Sequence, residues 1–143
     1  MARVQLQMPE RYLFSTEMAV RVSDVNYGGH LGNDAILSMI HEARARFLEH
    51  YGYTELDIEG VGLIMTDAAI IYRAEGFYGD RVRVDVTVDD FNEHGCDFYY
   101  LLTAEQRNVE IARAKTGIVF FDYEARKVVD VPGAFRTTVF AEP

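Results

Sequence analysis

Asp24, Asn26, Tyr27, His30, Asn33 and Asp34 fall within eleven positions, directly before a stretch with helical periodicity. All six can donate or accept a hydrogen bond, and Asp24, His30 and Asp34 can also take up or release a proton. From Ser23 to Arg44 the chain reads SDVNYGGHLGNDAILSMIHEAR. A helix start offers backbone N–H groups that have no partner inside the helix, at the positive end of its dipole. Aimed at a carbonyl whose oxygen becomes anionic, such amides stabilise the transition state. Gly28, Gly29 and Gly32 would let a ligand come close to the backbone. The chemistry suggested is acyl transfer or carbonyl activation in a polar pocket. The plainer alternative is a capped loop whose Asn and Asp serve only its turns.

The hydrophobic pattern shows the elements that must position this loop. Tyr12–Val22 is predicted as a first strand and Ser23–Gly32 as a loop. Asn33 or Asp34 is the expected cap of a helix running from about Asp34 to Tyr51, which Gly52 ends. Ile36, Ile40, Ala43 and Phe47 recur at spacings of 4, 3 and 4, and Leu37, Met39 and Leu48 widen that stripe into a broad buried face. Gly62–Glu75 reads as the next strand. Val82, Val84, Val86 and Val88 alternate with Arg83, Asp85, Thr87 and Asp89, between turns at Gly79-Asp80 and Asn92–Gly95. Asp97–Glu105 and Ile111–Phe121 form a hairpin, in which Ala112, Ala114 and Thr116 are small enough for a helix to lie close. Tyr123–Pro143 is expected to be less regular, with a short strand at Val128–Val131. The order β–α–β–β–β–β predicts an α+β fold, a curved antiparallel sheet wrapped around one long central helix. Pairing of its exposed edges in a dimer would protect them.

Composition narrows the partners. The chain has 143 residues, which fits a single domain over 1–143. Its 14 basic and 23 acidic residues leave a net charge of −9, which argues against nucleic acid and membrane surfaces. The single cysteine, Cys96, excludes an intrachain disulfide and suggests a reducing, cytoplasmic setting. It is expected as a packed residue rather than a nucleophile. No apolar run reaches membrane-spanning length, and no signal peptide is visible. The four histidines lack metal-ligand spacing, so no metal is expected. A G-x-S-x-G elbow, a P-loop and a dinucleotide glycine fingerprint are all missing.

Val20-Arg21, Ser23-Asp24, Gly29-His30-Leu31, Asn33, Glu42-Ala43-Arg44 and Phe47-Leu48 resemble the hotdog-fold acyl-CoA thioesterases of the 4-hydroxybenzoyl-CoA thioesterase type. That pattern runs V-R-x-x-D-x-D-x-x-G-H-V-N-N, followed by a helix containing E-x-A-R-x-x-F-L. Tyr72–Asp80 (YRAEGFYGD) resembles its later Y-x-x-x-x-x-x-G-D segment, so the likeness spans about Val20–Phe121. The resemblance implies a hotdog fold and hydrolysis of an acyl-CoA or acyl-carrier-protein thioester. It also implies a homodimer or dimer of dimers, with the site at the interface against the helix start. No cofactor is implied beyond CoA as part of the substrate. The amides near Asn33 and Asp34 would form the oxyanion hole, with Tyr27, Gly29 and Asn33 against the substrate. Asn26 departs from the pattern, which has an acidic nucleophile or base there. An amide can orient water or hold a thioester carbonyl but takes no proton at neutral pH. The base then falls to Asp34, with His30 and Glu42 as further candidates.

Arg44 lies inside the apolar arc, between Leu37 and Ile40, and a buried guanidinium needs a carboxylate. Asp24 is the expected partner, with Asp67 as the alternative, which gives Asp24 a structural role. Arg81, Arg83, Arg113, Lys115, Arg126 and Lys127 could meet the CoA phosphates or simply solvate the outer strand faces. Two further readings remain. Hotdog hydratases and dehydratases carry D-x-N-P-x-H-x-D, which Asp24, Asn26, His30 and Asp34 resemble without the proline. An inactive acyl-CoA binder is suggested by Asn26 itself.

Overall fold

A computed structural model describes residues 1–141. Strand β1 spans Phe14–Ala19, and a one-turn 3-10 helix at Val22–Asp24 leads into the polar loop. Helix α1 then runs from Asn33 to His50. Strands β2 (Gly62–Tyr72), β3 (Arg81–Asp89), β4 (Gly95–Ala104), β5 (Val109–Asp122) and β6 (Lys127–Val129) follow, and helix α2 (Gly133–Phe140) comes last. The strands make one antiparallel sheet in the order β1-β3-β4-β5-β2, with β6 on the far end of β5. This curved sheet around one long helix is the hotdog architecture.

Helix α1 forms because its apolar stripe finds the concave sheet face. Ile40, Ala43, Phe47 and Leu48 are completely buried there, as are Val82, Val84 and Val86 of β3. Phe47 meets Phe98 edge to face at 5.4 Å between ring centres. Aligned rungs run across the sheet: Val86 lies opposite Tyr100, Tyr100 opposite Ala114, and Ala114 opposite Ile70. Ala112, Ala114 and Thr116 are fully buried. The helix ends where expected. Gly52 takes a left-handed φ of 82°, its N–H bonds Glu49, and the Tyr53 N–H reaches back to Leu48.

The start of α1 differs from expectation. Gly32 is the cap residue, and no side chain bonds the first turn, so neither Asn33 nor Asp34 caps it. Leu37 is 41% exposed rather than buried, because it faces a cleft beside β2 and not the sheet. Thr87 and Tyr99 point to the outer face of the sheet and are nevertheless buried. The segment before β1 covers them: Gln5–Glu10 share a cleft with Tyr99, and the Leu13 N–H bonds Val86.

Helix α2 replaces the irregular tail that the pattern suggested. Phe135 and Val139, four residues apart, are buried and close the core below α1. The Phe135 ring lies 5.3 Å from that of Phe120. Among the described residues no helix is long and apolar enough to cross a membrane.

Candidate functional site

The polar loop is held by its own side chains and backbone. Asp24 Oδ2 accepts the Arg21 backbone N–H at 2.9 Å, and its carbonyl accepts the Gly32 N–H at 2.9 Å. Asn26 Oδ1 accepts N–H groups from Gly28 (2.8 Å) and His30 (3.4 Å), an Asx-type turn. Gly29 has a φ of 87°, a conformation that favours glycine. The Leu31 N–H donates to the Gly76 carbonyl at 2.8 Å, which ties the loop to the segment after β2.

Two amides at the helix start remain open. Among the described residues, the N–H groups of Asn33 and Asp34 donate to no backbone or side-chain acceptor. Both side chains are exposed, and Asp34 Oδ1 hangs over the Cα of Gly32, where a Cβ would come within 2.7 Å of it. From the end of β2, the Tyr72 hydroxyl donates to the Asn33 carbonyl at 3.3 Å. Open amides, an exposed carboxylate and a glycine-rich approach thus meet at one end of α1. Such a constellation can hold a developing oxyanion beside a proton acceptor.

The predicted pairing of Asp24 with Arg44 is not what the fold makes. Arg44 is buried and its carboxylate partner is Glu55, with Nε to Oε1 at 2.7 Å. Asp24 instead pairs with Arg21, and Asp67 with Lys115 at 2.7 Å. The reason is placement: the turn after α1 returns Glu55 to the cleft that Arg44 lines, whereas Asp24 lies in a different cleft, with Met39, Glu42 and Arg46. Arg44 Nη1 also donates to the Tyr100 hydroxyl at 3.1 Å, and that oxygen bonds Thr116 Oγ1 at 2.8 Å. Burial alone would lower the Arg44 pKa, but the contacts with Tyr100 and Glu55 outweigh it and hold the guanidinium above its ordinary value. Glu55 Oε2 faces His41 Nε2 at 3.3 Å, so one carboxylate joins both basic groups.

The remaining candidates divide: Asn26 Oδ1 and His30 Nε2 both stand over Gly28, while Asp24 and Glu42 line a separate cleft along α1. Glu42 is exposed and ion-paired with Arg46 at 2.9 Å, one turn on. His30 lies 3.8 Å from Glu75. Tyr27 is fully exposed at the tip of the loop and lines nothing within its own chain. Arg83, Arg113 and Lys115 are paired with Asp85, Glu110 and Asp67, respectively, and Arg81 lies 3.9 Å from Glu105. Cys96 is buried, and burial pushes its thiol pKa far up, which leaves no thiolate for nucleophilic attack. His94 sits between Glu93 and Asp130, a grouping that sequence spacing hides. Its two ring nitrogens face different carboxylates, Nε2 at 3.8 Å from Glu93 and Nδ1 at 3.2 Å from Asp130.

Comparison with known proteins adds to this geometry. Residues 20–139 match the family described as the thioesterase-like superfamily. A 1,4-dihydroxy-2-naphthoyl-CoA hydrolase of Microcystis aeruginosa is 28% identical over 123 residues, covering 84% of this chain and 88% of the relative. A hydrolase of the same name from Synechocystis is 28% identical over 130 residues, covering 88% and 94%. The crystal structure of a 1,4-dihydroxy-2-naphthoyl-CoA thioesterase from Synechocystis superposes with a TM-score of 0.81 at 24% identity, covering 91% of this chain and 98% of that one.

Proposed function

The chain belongs to the thioesterase-like superfamily, and on that premise we propose that it hydrolyses an aromatic acyl-CoA thioester at the start of α1. The observation that carries the reading is the pair of open amides of Asn33 and Asp34 beside the exposed Asp34 carboxylate. The thioester carbonyl oxygen accepts both N–H groups. Asp34 takes a proton from water as that water attacks the carbonyl carbon. The tetrahedral intermediate collapses, the CoA thiolate leaves, and Asp34 returns the proton to it. The products are the free acid and CoA. No step calls for a metal or a redox group.

A second copy of the chain completes the site in this proposal. Strand β2 lies at one end of the sheet, and its Met65–Ala68 run is exposed. Long exposed edges of this kind are normally covered. Edge pairing along β2 would continue the sheet and bring a neighbour over the α1–β2 side, where Tyr27 and Tyr72 stand exposed.

The test is release of free CoA from an aryl-CoA, followed with a thiol reagent. Asp34→Asn is expected to lower kcat by about 10²–10⁴ with the fold intact, because a general base contributes about that much. His30→Gln is expected to cost less than about tenfold. Wild-type turnover with Asp34→Asn unchanged would remove Asp34 from the mechanism. A second reading, acyl-CoA binding without turnover, is favoured by the use of the Asn26 oxygen within its own turn. Tight binding with no CoA release across a range of acyl groups would establish it.

A further inference from the structure

A cleft of about 500 Å³ runs between α1 and β2, lined by Leu37, Ser38, His41, Arg44, Leu63 and Met65, among others. Leu37, His41 and Arg44 share one face of the helix at spacings of four and three, and the same line traced backward meets Asn33 and Asp34. On this face the helix start therefore lies one turn before Leu37, and Arg44 two turns after it. At ~1.5 Å per residue the axial distance from Asn33 to Arg44 is about 16 Å. Helical side chains lean toward the N-terminus, so the guanidinium lies nearer the helix start than that.

The cleft is polar at Arg44 although Leu37, Leu63 and Met65 line it too. The Arg44 side chain is only 7% exposed, and its hydrogen bonds to described residues use Nε and Nη1. Among those residues, no fully buried side-chain nitrogen or oxygen lacks a partner. Nη2, which bonds none of them, therefore keeps some access, and Arg44 is among the residues that line the cleft. Glu55 fixes the guanidinium from one side and His41 flanks the same carboxylate, so the group is held before any ligand arrives.

We infer that this cleft receives the acyl group, and that Arg44 Nη2, with His41 beside it, binds a hydroxyl or carbonyl oxygen on the distal part of an aromatic ring system. The inference rests on the thioesterase reading above and adds the residues that select the acyl group. A plain hydrocarbon would leave the guanidinium N–H facing apolar surface, at a cost in desolvation. The reach of the groove suits fused rings.

The experiment compares 6-hydroxy-2-naphthoyl-CoA, whose hydroxyl lies on the far ring, with 2-naphthoyl-CoA. Non-hydrolysable ketone analogues of both measure binding, and the thioesters themselves measure turnover. Wild-type protein is expected to bind the 6-hydroxy analogue at least about tenfold more tightly, the worth of a hydrogen bond to a charged group. The double substitution Arg44→Gln with Glu55→Gln removes both charges together, and the preference should fall to within about twofold. Leu37→Trp, at an exposed position, should fill the groove and weaken both analogues about tenfold or more. Equal wild-type affinity for the two analogues, or a preference that survives the double substitution, overturns the inference whether or not CoA is released. Preferential binding without CoA release overturns only the proposed hydrolysis.

Discussion

Asn26 commits its side-chain oxygen to the Gly28 and His30 amides, and that bond shapes the loop in front of α1. An Asp in its place keeps the acceptor and adds a negative charge beside the proposed water. Asn26→Asp is therefore expected to retain the fold and raise kcat by up to about tenfold, read by CoA release. A fall in kcat would mean that the site works only with the neutral amide. Asp67 supplies a prediction about stability. The Lys115 ammonium holds its carboxyl below the ordinary range against the opposing effect of burial, and the Gly117 N–H adds to the lowering. A depressed folded-state pKa contributes stability above the unfolded value of about 3.9, and that contribution fades as pH falls through the folded value. In urea titrations, Asp67→Asn should be less stable than wild type at neutral pH, with the gap closing below about pH 4. At this scale the sequence exposes types but not partners. The amphipathic arc requires that Arg44 be buried, yet Glu55 sits in a turn without periodicity, so nothing in the pattern could prefer it to Asp24.

The elements were more legible. Strict alternation along β3 and the apolar stripe of α1 each record a face turned to the core, and both appear where the pattern places them apart from Leu37, which turns to the cleft beside β2. Helix α2 was not legible, since Thr137, Thr138 and Val139 are weak helix formers and a Gly opens it. It forms because Phe135 and Val139 reach the core together, a tertiary cause with no local signal. The β4–β5 pairing has one intolerant position. A Cβ on Gly95 would stand 1.9 Å from the Ile118 carbonyl oxygen, and backbone cannot give way as a flexible side chain can. Gly95→Ala should lower unfolding free energy by at least about 2 kcal/mol, with a corresponding loss in thermal midpoint. An unchanged midpoint would mean that the two strands separate there at no cost.

On the scale of the molecule, one long helix cannot cover five strands unless the sheet bends around it, and element order alone was enough to anticipate that shape. What a second copy would contribute under the proposed edge pairing is invisible in a single chain's pattern, and in that proposal it makes the loop at the head of α1 a pocket rather than an open rim. Ala68→Lys, placed on the exposed stretch of β2, is expected to shift light-scattering mass from dimer to monomer and to reduce turnover in step. Loss of pairing with full activity would mean that each chain works alone. The segment ahead of β1 bears on assembly in another way. By lying across Thr87 and Tyr99 it roofs part of the convex side of the sheet, so those two side chains are shielded by the chain itself. Trimming those opening residues would turn an internally sealed surface into an adhesive one, and shortened forms of the protein should clump before they lose their shape.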